Sequence, residues 1–254
     1  MGKKEKMDEE ILWVIPGFGE PNYRDKELCL LGNILLLKEE GYRIRGLLCL
    51  YSVEKEKELE ARLKPFLDER FSMTIHAQRG FLGRFLYQHV KPEWTTSFSL
   101  VLLSLDDVQF EPGFSIGKMR QLMEKHALDV ISPAISKKSE WCHPFMHPTK
   151  HKALRHTNFA EFFCYLLKPS GYTKYHHFFN ENTQFMWGID LCMHPYGMKM
   201  AILETMTVIH LFSARNHNKG QVPEMERELR RMTKRFPNHI RYQFKNLGHL
   251  DKIP

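Results

Sequence analysis

The run Ser99 to Leu105 (SLVLLSL) constrains the fold most, because five of its seven residues are Leu or Val and polar and apolar positions do not alternate. A strand apolar on both faces has to be covered on both faces, as in a parallel sheet sandwiched between helices. Further apolar runs read as its partners: Ile11 to Ile15, Arg43 to Tyr51, Phe71 to His76, Asp129 to Ile135 and Met200 to His210. Helical spacing separates them. Asp25 to Glu40 carries Leu28, Leu31 and Leu35 at intervals of three to four with Gly41 as a stop, and Glu54 to Arg70, Gly80 to Val90 and Ser115 to His126 read the same way. The β-α-β-α-β order predicts an α/β protein with a Rossmann-like, mostly parallel central sheet, since right-handed crossovers place helices on both of its faces. From Ser136 to Asn180 the rhythm breaks, and the His, Pro and aromatic residues there predict loops and edge strands.

Composition narrows the class. With 254 residues and 43% hydrophobic content the chain can bury a large core, which excludes a disordered protein. The five cysteines (29, 49, 142, 164, 192) are scattered without a C-x-x-C pair, which argues against a disulfide framework or a zinc ribbon. No apolar run approaches the ~20 residues of a membrane span, and the N-terminus is a charge run without a signal-peptide core, so the expectation is a cytoplasmic protein with no membrane span. The net charge of +7 invites a nucleic-acid or polyanion reading. Much of that excess, however, lies in Glu224 to Arg241, where both signs mix at helical spacing as on a solvated helix. Polyanion binding is the competing function class, and it would weaken steeply with salt.

Several residues can carry chemistry. Asp106-Asp107 follows the most apolar strand, at the sheet edge where open α/β folds bind ligands. Two adjacent carboxylates call for a compensating cation, although a strand-ending turn with an Asp cap accounts for them equally simply. His210 ends the last apolar strand and could face the same crevice; an oxygen-rich site with one imidazole suits Mn2+. In Trp187-Gly188-Ile189-Asp190, the Asp could be a general base and the Trp a stacking surface, or the Asp could simply favour the start of a helix. The breaker-rich loop Pro16-Gly17-Phe18-Gly19 and the segment Arg79 to Arg84, with Gly80 and Gly83, offer backbone N–H groups and guanidinium groups to a phosphate. A zinc site in Cys142 to His151 is disfavoured by Pro144 and Pro148, which keep its His residues off one helix face; an acceptor loop is the alternative. Tyr175 and His177, in the aromatic segment Phe159 to Phe179, are either packing or a sugar-stacking wall.

In this order the parts resemble a GT-A type glycosyltransferase: strand ILWVI with its loop, strand SLVLLSLDDV with an acidic pair, then WGID, then a strand ending in His210. The stretch from about Gly83 to Phe212 is also similar to a plant family of uncharacterised glycosyltransferases, whose members carry an acidic motif, a Trp-Gly-x-Asp and a strand ending in Val-x-His. Glycosyltransferases of algae and of their large DNA viruses are a further neighbourhood. The resemblance implies a UDP- or GDP-sugar donor, a glycan acceptor, no nucleic-acid partner, and Mn2+ or Mg2+ held by Asp106, Asp107 and His210. It places Pro16, Gly17, Phe18, Arg79, Gly83, Arg84 and Asp106 at the nucleotide, Trp187, Gly188, His177 and Tyr175 at the acceptor, and Asp190 as base of an inverting transfer. One departure stands out. The family's Asp-x-Asp is Leu105-Asp106-Asp107 here, so either Asp could be the main ligand, and an inactive GT-A scaffold is a further alternative. The implied organisation is one domain over 1–254, with a charged tail (1–10), a nucleotide-sugar half (11–110), an acceptor half (111–212) and a basic helical region (213–254).

Overall fold

The structure, a computed structural model, describes residues 9–149, 152–212, 221–241 and 243–250. Parts of the charged tail and of the basic C-terminal region, as well as Lys150 and His151 of the His-rich loop, lie outside the described residues. The apolar runs become strands. β1 (Glu10–Phe18), β2 (Arg43–Leu50), β3 (Phe71–Ala77) and β4 (Leu100–Ser104) assemble as β3-β2-β1-β4, every pair parallel. As expected of a strand apolar on both sides, every residue of β4 is buried.

Beyond β4 the sheet becomes mixed. β8 (Cys164–Leu167) runs antiparallel between β4 and β6 (Val130–Ile135). Next to β6 lies β9 (Met200–His210), parallel to it, and then β7 (Leu154–Thr157) and β10 (Asn246–Leu250), both antiparallel to their neighbours. A short strand, β5 (Val108–Phe110), pairs with the end of β9. The Ser136 to Asn180 region was expected to hold loops and edge strands, yet β8 sits in the interior of the sheet. Its four residues, CYLL, are all buried, and a run too short to show periodicity hid that placement. Two reversals through β8 restore the direction of β4 in β6 and β9, so the carboxyl ends of β1, β4 and β9 share one edge.

Helices α1 (Tyr23–Glu39), α2 (Glu56–Leu63), α3 (Leu82–His89), α4 (Pro92–Thr95), α5 (Ile116–Lys125), α6 (Pro169–His176), α7 (Ile189–Cys192) and α8 (Val222–Arg235) complete the described structure. The orientation of α1 differs from its leucine spacing. Leu28 and Leu35 are 53% and 52% exposed, while the buried face carries Tyr23, Lys26, Leu30, Asn33, Ile34 and Leu37. The helix is apolar around most of its circumference, so periodicity alone cannot orient it, and the polar groups Lys26 and Asn33 take inward positions.

Candidate active site

The acidic pair is positioned from two sides. After β4 the chain turns at Asp106-Asp107 and returns as β5, with Val108 opposite His210 of β9. The Leu211 N–H extends this ladder by donating to the Asp107 backbone carbonyl at 2.9 Å. This register brings Asp107 Oδ2 to 3.2 Å from His210 Nε2. The buried His210 ring sets its Nδ1 at 2.8 Å from the Trp141 carbonyl, which can only accept, so Nδ1 carries a proton and Nε2 is turned to the carboxylate. Burial pushes the imidazole pKa down, but the hydrogen bond and charge of Asp107, with the Trp141 carbonyl, outweigh it and leave the pKa raised. The other oxygen, Asp107 Oδ1, is buried without a hydrogen-bond partner.

Helix α1 holds the remainder of the turn. Lys26 and Asn33, seven residues apart, lie two turns along one face. The Lys26 ammonium sits 2.8 Å from Asp106 Oδ2 and donates to the Gly19 carbonyl at 2.9 Å, while the Gly19 N–H reaches the same carboxylate at 3.3 Å. Burial raises the Asp106 carboxyl to about 6, opposed by Lys26 and reinforced by Asp107. Asn33 clamps β5: its Nδ2 donates to the Val108 carbonyl and its Oδ1 accepts from the Phe110 N–H, both at 2.8 Å.

Asp190 lies in the first turn of α7, partly exposed, with its Oδ1 accepting from the Leu191 N–H at 3.0 Å. Burial, with the charge of Glu161 added, lifts its carboxyl to about 8. Glu161 itself is raised to about 7 by burial, with the His143 N–H at 2.9 Å and the field of His210 pulling the other way. Asp107, His210, Glu161 and Asp190 thus form one electrostatic series, each group acting on the next. Lys26, Asn33 and Glu161 were not anticipated. For Glu161 the available signal was a lone acid within Phe159-Ala160-Glu161-Phe162-Phe163; for Lys26 and Asn33 it was their phase with Leu30 and Leu37.

Other anticipated site residues separate into two groups. Arg79 and Arg84 are exposed and make no hydrogen bond or ion pair among the described residues, so both guanidinium groups are available to an anion. Trp187 is 38% exposed, three residues before Asp190. By contrast, Pro16, Gly17 and Phe18 belong to β1 rather than to an open loop. All three are buried, with the Tyr51 hydroxyl donating to the Pro16 carbonyl at 3.2 Å and the Phe18 ring set against Tyr23. Gly83 is a packing glycine: its N–H donates to the Gln184 carbonyl, and an added Cβ would fall 2.7 Å from the Thr183 methyl.

Gly188 is likewise structural. It holds φ 89° where a side chain would also meet Leu229 of α8 at 2.6 Å. Glu228 of α8 accepts from the Gln184 and Phe185 N–H groups, fastening the segment that leads into Gly188. Tyr175 is wholly buried among Tyr165, Tyr172 and Phe179, so it packs in the core instead of offering a stacking face. His177 is exposed but sits against the end of α8, with Phe236 beside its ring and Arg235 donating to its carbonyl.

Asp107 and His210 fit a divalent cation in part. The imidazole tautomer leaves Nε2 for a ligand, and the orphaned Asp107 Oδ1 lacks the partner a buried carboxylate oxygen requires. Asp106, turned to Lys26, is not gathered with them, and among the described residues no three His, Cys, Asp or Glu side chains are grouped around one metal position.

No protein-family profile matches the chain, and no curated protein sequence matches it, so neither the plant nor the algal relation gains support from sequence. Among solved structures, GalNAc-T7 with UDP, GalNAc and Mn2+ aligns with a TM-score of 0.58 at 8% identity, over 91% of this chain and 53% of that one. HddC from Yersinia pseudotuberculosis aligns with a TM-score of 0.48 at 11% identity, over 85% of this chain and 99% of that one. The chain spans about half the length of the GalNAc-T7 chain. The first likeness shows the fold, a mixed α/β architecture of the GT-A type with a large central sheet flanked by helices. Among the described residues no helix is long and apolar enough to cross a membrane.

Proposed function

We propose that this chain is a metal-dependent glycosyltransferase that moves a sugar from a UDP- or GDP-sugar to a hydroxyl of a glycan or related acceptor. The observation that carries the reading is the Asp107–His210 pair at the carboxyl edge of the sheet, 3.2 Å apart with one carboxylate oxygen left unpartnered. The UDP, GalNAc and Mn2+ bound by GalNAc-T7, on a similar fold, support it. Asp107 and His210 would hold Mn2+ or Mg2+, with the donor diphosphate completing its shell, and the bound cation would neutralise charge on the leaving diphosphate. Asp106 is assigned to positioning: held by Lys26, it fixes the turn that presents Asp107. Arg79 and Arg84, the exposed cations before and within the first turn of α3, would meet the diphosphate.

On the acceptor side, Trp187 offers an exposed ring to a sugar and Asp190 takes the proton of the attacking hydroxyl. The acceptor oxygen forms the new bond to the anomeric carbon, and the electron pair of the old carbon–oxygen bond leaves with the diphosphate. A base opposite the leaving group makes this a single inverting displacement. Because Asp190 must be ionised to act, the enzyme works best on the alkaline side of neutrality. Calorimetric titration of UDP- and GDP-sugars with and without Mn2+ tests the reading. The expected result is donor binding that requires Mn2+ and weakens at least about tenfold in Asp107→Asn; equal binding in the absence of metal, or in the variant, overturns it.

A further inference from the structure

Helix α1 presents apolar residues to water on the side opposite the active-site turn. Leu28 and Leu35 are each more than half exposed, Leu31 lies partly exposed between them, and a Cβ added at Gly32 would meet nothing within 4 Å. Single exposed leucines are ordinary, but a leucine pair at seven-residue spacing around a glycine makes a continuous stripe. We infer that this stripe is the contact face for α1 of a second copy of the chain, the two helices crossing antiparallel about a two-fold axis between Leu31 and Gly32.

The register carries the inference. A two-fold contact needs a surface complementary to itself. About that axis each residue meets the one whose number completes a sum of 63. Leu28 then meets Leu35 of the second copy, Leu31 meets Gly32, Asp25 meets Lys38 and Arg24 meets Glu39. The two central pairings are apolar, with Gly32 giving room for close approach, and the two outer pairings join opposite charges. At 3.6 residues per turn all eight positions lie within about 80° of a line through Leu28, so one face presents them together. A parallel arrangement would set Arg24 against Arg24 and Lys38 against Lys38. Nothing in a foreign partner would require this internal reciprocity, which is why a second copy is the occupant favoured.

Neighbouring groups are compatible. Asp25 and Glu39 form no ion pair among the described residues. Arg24 holds Glu27 through Nη1, and Lys38 holds Asp68 and the Phe66 carbonyl, so Arg24 keeps several spare donors and Lys38 keeps one. Lys26 and Asn33 occupy the opposite face, where they hold the acidic turn, so pairing through the outer face leaves the proposed site accessible. One helix-on-helix contact lies at the small end of specific interfaces, so the dimer is reversible.

Analytical ultracentrifugation from about 1 to 200 µM tests the association: the expected mass rises from 30.2 kDa towards twice that value. Leu28→Glu with Leu35→Glu should hold the chain at the monomer mass throughout. Register is tested by mild oxidation of single-cysteine substitutions, with little background because all five native cysteines are buried. Leu28→Cys chains mixed with Leu35→Cys chains should cross-link at least about tenfold faster than Leu28→Cys chains alone. These exposed positions tolerate cysteine without disturbing the core. A monomer at the highest concentration, an unchanged dimer in the double variant, or equal cross-linking of Leu28→Cys with itself overturns the inference.

Discussion

Replacing Asp190 by Asn separates what the fold wants from what the proposed chemistry needs. In the folded chain, burial and Glu161 carry this carboxyl from 3.8 to about 8. A carboxyl raised in this way favours the folded state fully below pH 3.8, and the advantage is lost as pH climbs through 8. At about 1.4 kcal/mol per tenfold change in proton affinity, ionising Asp190 costs the folded state at most about 6 kcal/mol. Asn reproduces the contacts of the neutral acid only in part, so the expected net gain for this nearly isosteric side chain at pH 9 is about 2–3 kcal/mol. For a domain of this size that is roughly 5–10 °C in Tm. Urea or thermal unfolding of both chains at pH 5, 7 and 9 measures it. The variant's advantage should be smallest at pH 5, grow up to about pH 8 and then level off. Turnover should meanwhile fall by about 10²–10⁴. An advantage of equal size at pH 5 and pH 9 would show that Asp190 titrates as an ordinary aspartate, and unchanged turnover would remove it as the base.

Three further outcomes follow from the same geometry. The kcat/KM profile should climb with pH and level off near 8, where Asp190 ionises, and Glu161→Gln should move the inflection to lower pH by removing a negative neighbour; a profile that does not move argues against this pairing. Lys26→Met leaves Asp106 buried without its cation, and since both side chains are largely enclosed (11% and 14% exposed) the expected loss is about 2–4 kcal/mol, larger at pH 8 than at pH 5. Adding Asp106→Asn should restore most of that loss in denaturant unfolding, and a single-variant loss below about 0.5 kcal/mol would refute the assignment. Asn33→Ala strips partners from the Val108 carbonyl and the Phe110 N–H; the expected cost is about 2–3 kcal/mol, accompanied by weaker Mn2+-dependent donor binding, and stability equal to the parent would contradict the clamp.

Asp190 was legible as a candidate because Trp187-Gly188-Ile189-Asp190 stands at a helix start, but its elevated pKa was not, since the main neighbouring charge, Glu161, is 29 residues earlier in the chain. Tyr175 shows the opposite failure. Its aromatic surroundings suit a binding wall and a buried cluster alike, and only burial distinguishes them. Gly83 was read as leaving room for a ligand because a glycine's lack of a side chain permits close approach by anything, and the resemblance set Gly188 at the acceptor; the groups that approach these two glycines are Thr183 and Leu229.

Local patterns determined the strand β4, apolar on both faces, the acidic pair that follows it, the limits of β9 at Met200 and His210, and the helices between the first strands. These depend on burial and periodicity within a few neighbouring residues, which short windows of sequence express directly. The tertiary structure decided the rest. It inserted β8 between β4 and β6, turned Leu28 and Leu35 outward, and set β5 against β9 so that Asp107 meets His210 from 103 positions away while Asp106 is taken by Lys26. Such pairings depend on strand register and on which face of an apolar helix turns inward, and both are settled by packing between segments that are distant in the chain.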